Sequence, residues 1–206
     1  MDEETVFVVD DEVANRELFA AIFDSVGIKS RSFESAQEFL ANFDEQVPGC
    51  ILLDIRMPGM SGLELQQKLK NDGVPHPIII VTAHGDISIA IEAMKAGAYD
   101  FLEKPIRNQQ LLEIVQRALR EGRETASRQQ QKLEMRGRFA ELTPREKEVL
   151  SQVVEGEPNK RIAFNLDISV KTVELHRAKV MQKTGARSLA ELIRLVVEAE
   201  ADTADN

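Results

Sequence analysis

A chain of 206 residues, 43% of them hydrophobic, is long for one compact α/β domain and suits two modest ones. Its single cysteine excludes a disulfide framework, no apolar stretch approaches the length of a membrane span, and the acidic start MDEETVFVVDD does not resemble a secretory signal. The net charge of −9 is uneven: residues 1–122 hold 11 Lys and Arg against 21 Asp and Glu, residues 123–206 hold 15 against 14, and residues 158–188 hold seven against two. An acidic front and a local basic block imply two partners of different kinds, and the lone thiol fits a reducing cytoplasm with no membrane contact.

Thr5–Val9 (TVFVV) reads as a strand ending in Asp10, Asp11 and Glu12. The segment Asn15–Ser25 carries Leu18, Ile22 and Val26 at helical spacing, and Gly27 stops it before a weaker strand at Ile28–Phe33. Ser35–Phe43 is helical. After Pro48 and Gly49, the residues Ile51, Leu52, Leu53 and Ile55 form a short aliphatic strand of the kind buried on both faces. Asp54 interrupts it, a Met57-Pro58-Gly59 turn follows, and Cys50 serves there as a small hydrophobe. Ser61 and Glu64 form a capping box for a helix over Gly62–Lys70. Ile78–Val81 is a strand ending at Thr82, Asp86 caps a helix over Ile87–Ala96, and Gly97 ends it. Tyr99–Leu102 leads to Glu103, Lys104 and Pro105, and a last helix begins near Gln109.

Strands alternating with helices imply a parallel sheet covered on both faces. In the doubly wound order 2-1-3-4-5, the first and third strands flank the switch point where such sheets bind ligands. Asp10, Asp11, Asp54, Thr82 and Lys104 all fall at that end. Alone, Asp54 is as well explained by starting a turn, Thr82 by capping a helix, and Lys104 by solvation; their convergence favours a site. Three clustered carboxylates repel unless one is protonated or a cation sits among them, and an all-oxygen site beside water suits Mg²⁺. A carboxylate can attack phosphorus and become an acyl phosphate, with the metal neutralising developing charge and Lys104 and Thr82 binding the remaining oxygens. Asp54, rooted in the central strand, is the best nucleophile.

The segments VVDDE, LLDIRMPGMSG, IIIVTAHGD and DFLEKP resemble the receiver domain of two-component response regulators, over essentially all of residues 4–122. The resemblance implies a flavodoxin-like (βα)5 receiver, assigned to residues 1–122. It makes Asp54 the phospho-acceptor, and it implies that Asp11, Asp54 and the Arg56 carbonyl ligate Mg²⁺ directly and Asp10 through water. Thr82 becomes the switch hydroxyl, Phe101 the switch aromatic, and Lys104 the phosphate-pairing lysine before a Pro105 that is often cis. His76 and His84 fall outside that set and are expected to be structural or solvated.

Within ISIAIEAMKAG, Ile87, Ile91 and Met94 line one helical face, and Ile89, Ala93 and Ala96 nearly the opposite one. A helix on a sheet needs one apolar face, so the second is either a partner surface or a patch of no consequence. Receivers that this chain resembles pair through this helix and the fifth strand, which assigns Ile89, Ala93 and Ala96 to a homodimer surface. From Leu111 a helical pattern persists through Leu119 and then turns polar. Residues 123–138 are read as a helical linker, with a flexible one as the alternative, since a polar helix without contacts is marginal. Leu119, Ala126 and Leu133 suggest a coiled-coil seam only weakly.

Thr143, Pro144 and Glu146 begin a helix over Pro144–Glu155 that buries Val149, Leu150 and Val153 and stops at Gly156. Asn159–Asn165 is a second helix, Leu166-Asp167-Ile168 a turn, and Ser169 begins a third with Val173, His176, Val180 and Met181 inward. Ser188–Ala199 is a fourth, presenting Leu189, Leu192, Ile193 and Val196. Together they describe an all-α, four-helix helix-turn-helix domain over residues 139–206. Lys171, Glu174, Arg177 and Lys179 face outward with Lys160 nearby, which fits a helix in the major groove better than a merely solvated face. His176 is expected to be packed and hydrogen-bonded rather than a metal ligand.

LTPREKEVL, GEPNKRIAFNLDISVKTVELHRAKVMQK and RSLAEL resemble the LuxR-type DNA-binding domain across residues 142–192. By position, Glu174, Leu175 and Ala178 would face bases, while Asn159, Lys160, Lys171, Thr172, Arg177 and Lys179 would hold phosphates. Many members carry lysine at Glu174. Glutamate can accept from cytosine N4, and it recurs in the FixJ-like subgroup, which the whole chain resembles best.

These readings describe a transcription regulator rather than an enzyme. A sensor histidine kinase phosphorylates Asp54, two copies pair, and two recognition helices meet an inverted-repeat site on double-stranded DNA, with RNA polymerase as a further partner. The unphosphorylated receiver is expected to mask the DNA-binding half. An Mg²⁺-dependent phosphohydrolase is the rival, but Arg56 stands where it needs a second aspartate. An RNA-binding antiterminator would share the receiver without the helix-turn-helix.

Overall fold

The computed structural model describes residues 4–83 and 87–201. The expected cap Asp86, and His84, lie outside the described residues. Five strands, β1 (Thr5–Val9), β2 (Lys29–Phe33), β3 (Gly49–Asp54), β4 (Ile78–Thr82) and β5 (Asp100–Glu103), form one sheet in the order β2-β1-β3-β4-β5. Every pairing is parallel, as the alternation of strands and helices implies. β1, β3 and β4 are buried throughout, which is why they are continuous aliphatic runs rather than alternating ones. β2 is an edge strand reading KSRSF, with Lys29 and Arg31 exposed; charge on an edge discourages pairing with a further strand.

Helix α1 (Val13–Asp24) and the first part of α5 (Asn108–Ala140) cover one face, where Val6, Val8 and Leu52 meet Phe19, Phe23 and Val115. Three helices, α2 (Ala36–Asn42), α3 (Gly62–Asn71) and α4 (Ile87–Lys95), cover the other, where Phe7, Ile51 and Leu53 meet Phe39, Leu65 and Ala93. α1 departs from the expected face. It turns Phe19, Ile22 and Phe23 inward, while Leu18 stays 55% exposed and Val26, beyond the helix end, is also exposed. The aromatic pair carries more apolar area per side chain and takes the core.

α4 reverses its expected faces. Ala93 is 0% exposed and Ile89 packs partly buried against the core, whereas Ile87, Ile91 and Met94 are 76%, 49% and 48% exposed. Ile89, Ala93 and the half-buried Ala96 therefore seat α4 on the receiver and do not form a free dimer surface. The small Ala93 permits close approach, and buried Gln66 on α3 donates from Nε2 to the Ala93 carbonyl at 2.9 Å.

The polar stretch after Leu119 belongs to α5, which is one helix of 33 residues. Leu133, from the weak coiled-coil pattern, is exposed. Where α5 passes the start of β3, a Cβ on Gly122 would stand 2.2 Å from the Gly49 carbonyl oxygen, so only glycine allows the approach.

The chain divides into two compact units between Arg128 and Gln129. In the second, α6 (Pro144–Val154), α7 (Asn159–Asn165), α8 (Val170–Thr184) and α9 (Leu189–Ala201) close a separate core around Leu142, Val149, Ile162, Val173, Val180 and Leu192. Leu189, expected inside, is partly exposed at the start of α9. Thr143 and Glu146 form the expected capping box, and Lys183 Nζ at the end of α8 donates to Glu146 at 2.7 Å. The Lys183 ammonium and the Thr143 amide hold the Glu146 carboxyl down to about 2.

Candidate acidic site and nucleic-acid interface

The acidic site is assembled from strand ends. Asp10 follows β1, Asp54 closes β3, Thr82 closes β4 and Lys104 follows β5, and all but Lys104 are buried. Lys104 Nζ donates to Asp10 Oδ2 at 2.8 Å and to Asp54 Oδ2 at 3.1 Å. Oxygens of Asp10, Asp11 and Asp54 lie within 4.8 Å of one another. The α3 start is placed by Gly62, where a Cβ would stand 2.1 Å from the Asp54 carbonyl oxygen.

Burial pushes the Asp54 carboxyl up despite the ammonium beside it. Burial disfavours the charge on Lys104, yet Asp10 and Asp54 hold its pKa above the ordinary value. Asp54 Oδ1 is buried with no hydrogen-bond donor. A donorless buried oxygen beside two further carboxylates suits a hard, oxygen-seeking cation, so these residues fit Mg²⁺.

Phe101 sits half-buried on β5, packed against the second core, and the Lys104–Pro105 peptide is cis. The Arg56 side chain is exposed. His76 lies apart from the site, as expected of a structural residue: Nε2 stands 2.8 Å from the Val47 carbonyl, and the ring packs on Phe7 and Phe43.

Two α1 residues that sequence reasoning missed also reach the acidic turn. Asn15 Nδ2 donates to Asp10 Oδ1 at 3.2 Å, alongside the Glu12 amide at 2.9 Å. Arg16 Nη1 donates to the Asp10 and Asp11 carbonyls at 2.7 and 2.9 Å. The only signal for them is their position one turn into a helix that follows two acidic residues.

In the second unit, Ser169 caps α8 by accepting from the Thr172 amide at 3.0 Å, and Asp167 makes the turn with a positive φ of 52°. Lys171, Glu174, Leu175 and Ala178 lie on one exposed face of α8 by the i, i+3, i+4, i+7 rule. Leu175 is 56% exposed, an apolar side chain left largely to solvent. Lys160 and Lys179 are exposed as expected. Arg177, expected outward, is half-buried and donates to Asn159 Oδ1 at 2.7 Å, which ties two anticipated phosphate contacts to each other. His176 is half-buried, but its Nδ1 lacks the expected hydrogen bond.

Residues 6–116 match the family described as response regulator receiver domain, and residues 140–196 match bacterial regulatory proteins of the luxR family. The chain is a response regulator. The transcriptional regulatory protein TdiR of Thauera aromatica is 43% identical over 98% of this chain and 88% of TdiR. FixJ of Bradyrhizobium diazoefficiens is 41% identical over 94% of this chain and 95% of FixJ. Among solved structures, the response regulator StyR matches at a TM-score of 0.86 and 41% identity, covering 95% of this chain and 99% of StyR. Full-length FixJ from B. japonicum matches at 0.56 and 39% identity, covering 98% of this chain and 99% of FixJ. The response regulator thus joins a receiver to a LuxR-type DNA-binding domain, and its family regulates transcription in two-component systems rather than acting as an enzyme. A receiver implies a histidine kinase partner and an acidic Mg²⁺ pocket, and a LuxR-type domain implies DNA. Among the described residues, no helix is long and apolar enough to cross a membrane.

Proposed function

We propose that Asp54 receives a phosphoryl group from a sensor histidine kinase in the cytoplasm, and that the modified chain pairs and binds an inverted-repeat site on double-stranded DNA. The observation that carries this reading is the donorless buried oxygen of Asp54, held beside Asp10 and Lys104 at the end of the central strand. An Asp54 carboxylate oxygen attacks phosphorus, the phosphorus–nitrogen bond of the phosphohistidine breaks, and the leaving imidazole keeps the electron pair. Lys104, already bonded to Asp54 Oδ2, is in place to bind a phosphoryl oxygen, with the Thr82 hydroxyl as second contact. Asp11, Asp54 and the Arg56 carbonyl would hold magnesium, with Asp10 acting through water; the ion when bound supplies neutralisation of charge on the transferred group.

The exposed α4 face of Ile87, Ile91 and Met94 is the surface we assign to pairing, with Thr82 and Phe101 relaying the phosphorylated state to it. Glu174, Leu175 and Ala178 would read bases. Lys160, Lys171 and Lys179 would contact phosphates, with Thr172, Asn159 and Arg177 fixing the register. Asp54→Asn should abolish stable label from acetyl phosphate and the phosphodonor-dependent gain in DNA binding. Retention of both would overturn the assignment.

A further inference from the structure

We infer that Arg16 is a positioning residue for the receiver's metal site, holding the turn after β1 so that two successive carboxylates are offered to one ion. The inference rests on the magnesium reading above. β1 ends its pairing at Val9, so the carbonyls of Asp10 and Asp11 have left the sheet ladder. In an extended strand successive carbonyls point to opposite sides. Here both converge on a single nitrogen, Arg16 Nη1, at 2.7 and 2.9 Å. The main chain is therefore turned at this point, and the guanidinium fits that turn by donating to both carbonyls at once.

The choice of atoms matters. Lys104 occupies carboxylate oxygens of Asp10 and Asp54 directly. The hydrogen bonds from Arg16 go to the backbone, so it can orient both carboxylates without consuming the lone pairs a metal needs. Asp10 has further support from the Glu12 amide and from Asn15. Among the described hydrogen bonds none reaches the Asp11 carboxylate, so its aim depends on the backbone that Arg16 fixes. Groups that orient metal ligands from outside typically change affinity by about 10–100-fold when removed.

The test titrates Mg²⁺ into metal-stripped, full-length protein and follows the thermal midpoint, with Mn²⁺ binding by electron paramagnetic resonance as a second readout. Arg16→Ala should raise the half-saturating metal concentration by about tenfold or more. Arg16→Lys should recover part of that loss, because one ammonium can still donate to both carbonyls. A purely structural arginine would lower the metal-free midpoint and leave the half-saturating concentration alone, and that result overturns the inference. So would tighter metal binding in Arg16→Ala, which would mean simple charge repulsion. Arg16→Leu, measured alongside, covers a failure of the alanine variant to fold; wild-type metal affinity in Arg16→Leu also overturns it. Wild-type protein without a metal-dependent shift would instead sink the magnesium reading itself.

Discussion

At Asp54 two forces act against each other. Burial favours the protonated acid, while the Lys104 ammonium favours the carboxylate and keeps it nucleophilic. A different balance holds at His76, at the far end of the sheet. Its Nε2 meets the Val47 carbonyl while Nδ1 is buried with no partner, so protonating Nδ1 would place a charge and an unpaired donor in an aromatic pocket. Burial accordingly lowers its pKa, the Val47 bond notwithstanding. The unfolded chain then binds more protons than the folded one once pH falls below about 6.5, so stability present above that value is lost on acidification. Urea midpoints should decline from pH 7 to pH 5.5 in the wild type, and the decline should be shallower in His76→Leu. An identical decline in both would show that His76 is not the group responsible. Among the site residues, Asp10, Asp54, Thr82 and Lys104 were legible because each marks a strand end, and strand ends of a doubly wound sheet coincide in space. Arg16 was not, because its targets are main-chain carbonyls whose direction depends on where α1 begins, and α1 begins two residues before the expected Asn15.

Elements with local signals were read well, and α4 shows where such signals end. The Ser61–Glu64 and Thr143–Glu146 capping boxes depend on residues three apart, and both are present. α4 has apolar residues on two sides, so periodicity cannot say which side meets the sheet. Close approach decides it, through the small Ala93 and the Gln66 bond to its carbonyl. The same ambiguity holds in α1, where Leu18 fits the helical period but Phe19 and Phe23 fill the space. The corrected α4 geometry gives two opposed expectations. Ile91→Glu should weaken phosphorylation-driven pairing by about tenfold or more, roughly 1.4 kcal/mol, without slowing phosphorylation. Ile89→Glu should chiefly lower the thermal midpoint, because it forces a charge towards the core. Sedimentation with and without phosphodonor checks the first; unchanged pairing in Ile91→Glu would remove this face from consideration.

At the scale of the whole molecule, each unit closes its own core, the second around Leu142, Val149 and Val173. Residues 139–206 should therefore fold alone and bind DNA without phosphodonor, with affinity falling steeply as salt rises because lysines displace condensed counterions. Circular dichroism reports folding and a mobility-shift titration at two salt concentrations reports binding. A helical fragment that fails to bind at low salt would count against control by the receiver. The linker had two readings in the sequence, helix or flexible chain, because its polar residues carry no core period; in the structure they continue α5. The cationic border at Lys29 and Arg31 has an effect reaching beyond one molecule. Two copies meeting β2 to β2 would set like charges against each other, so crowding should not fuse the sheets of two molecules along this border.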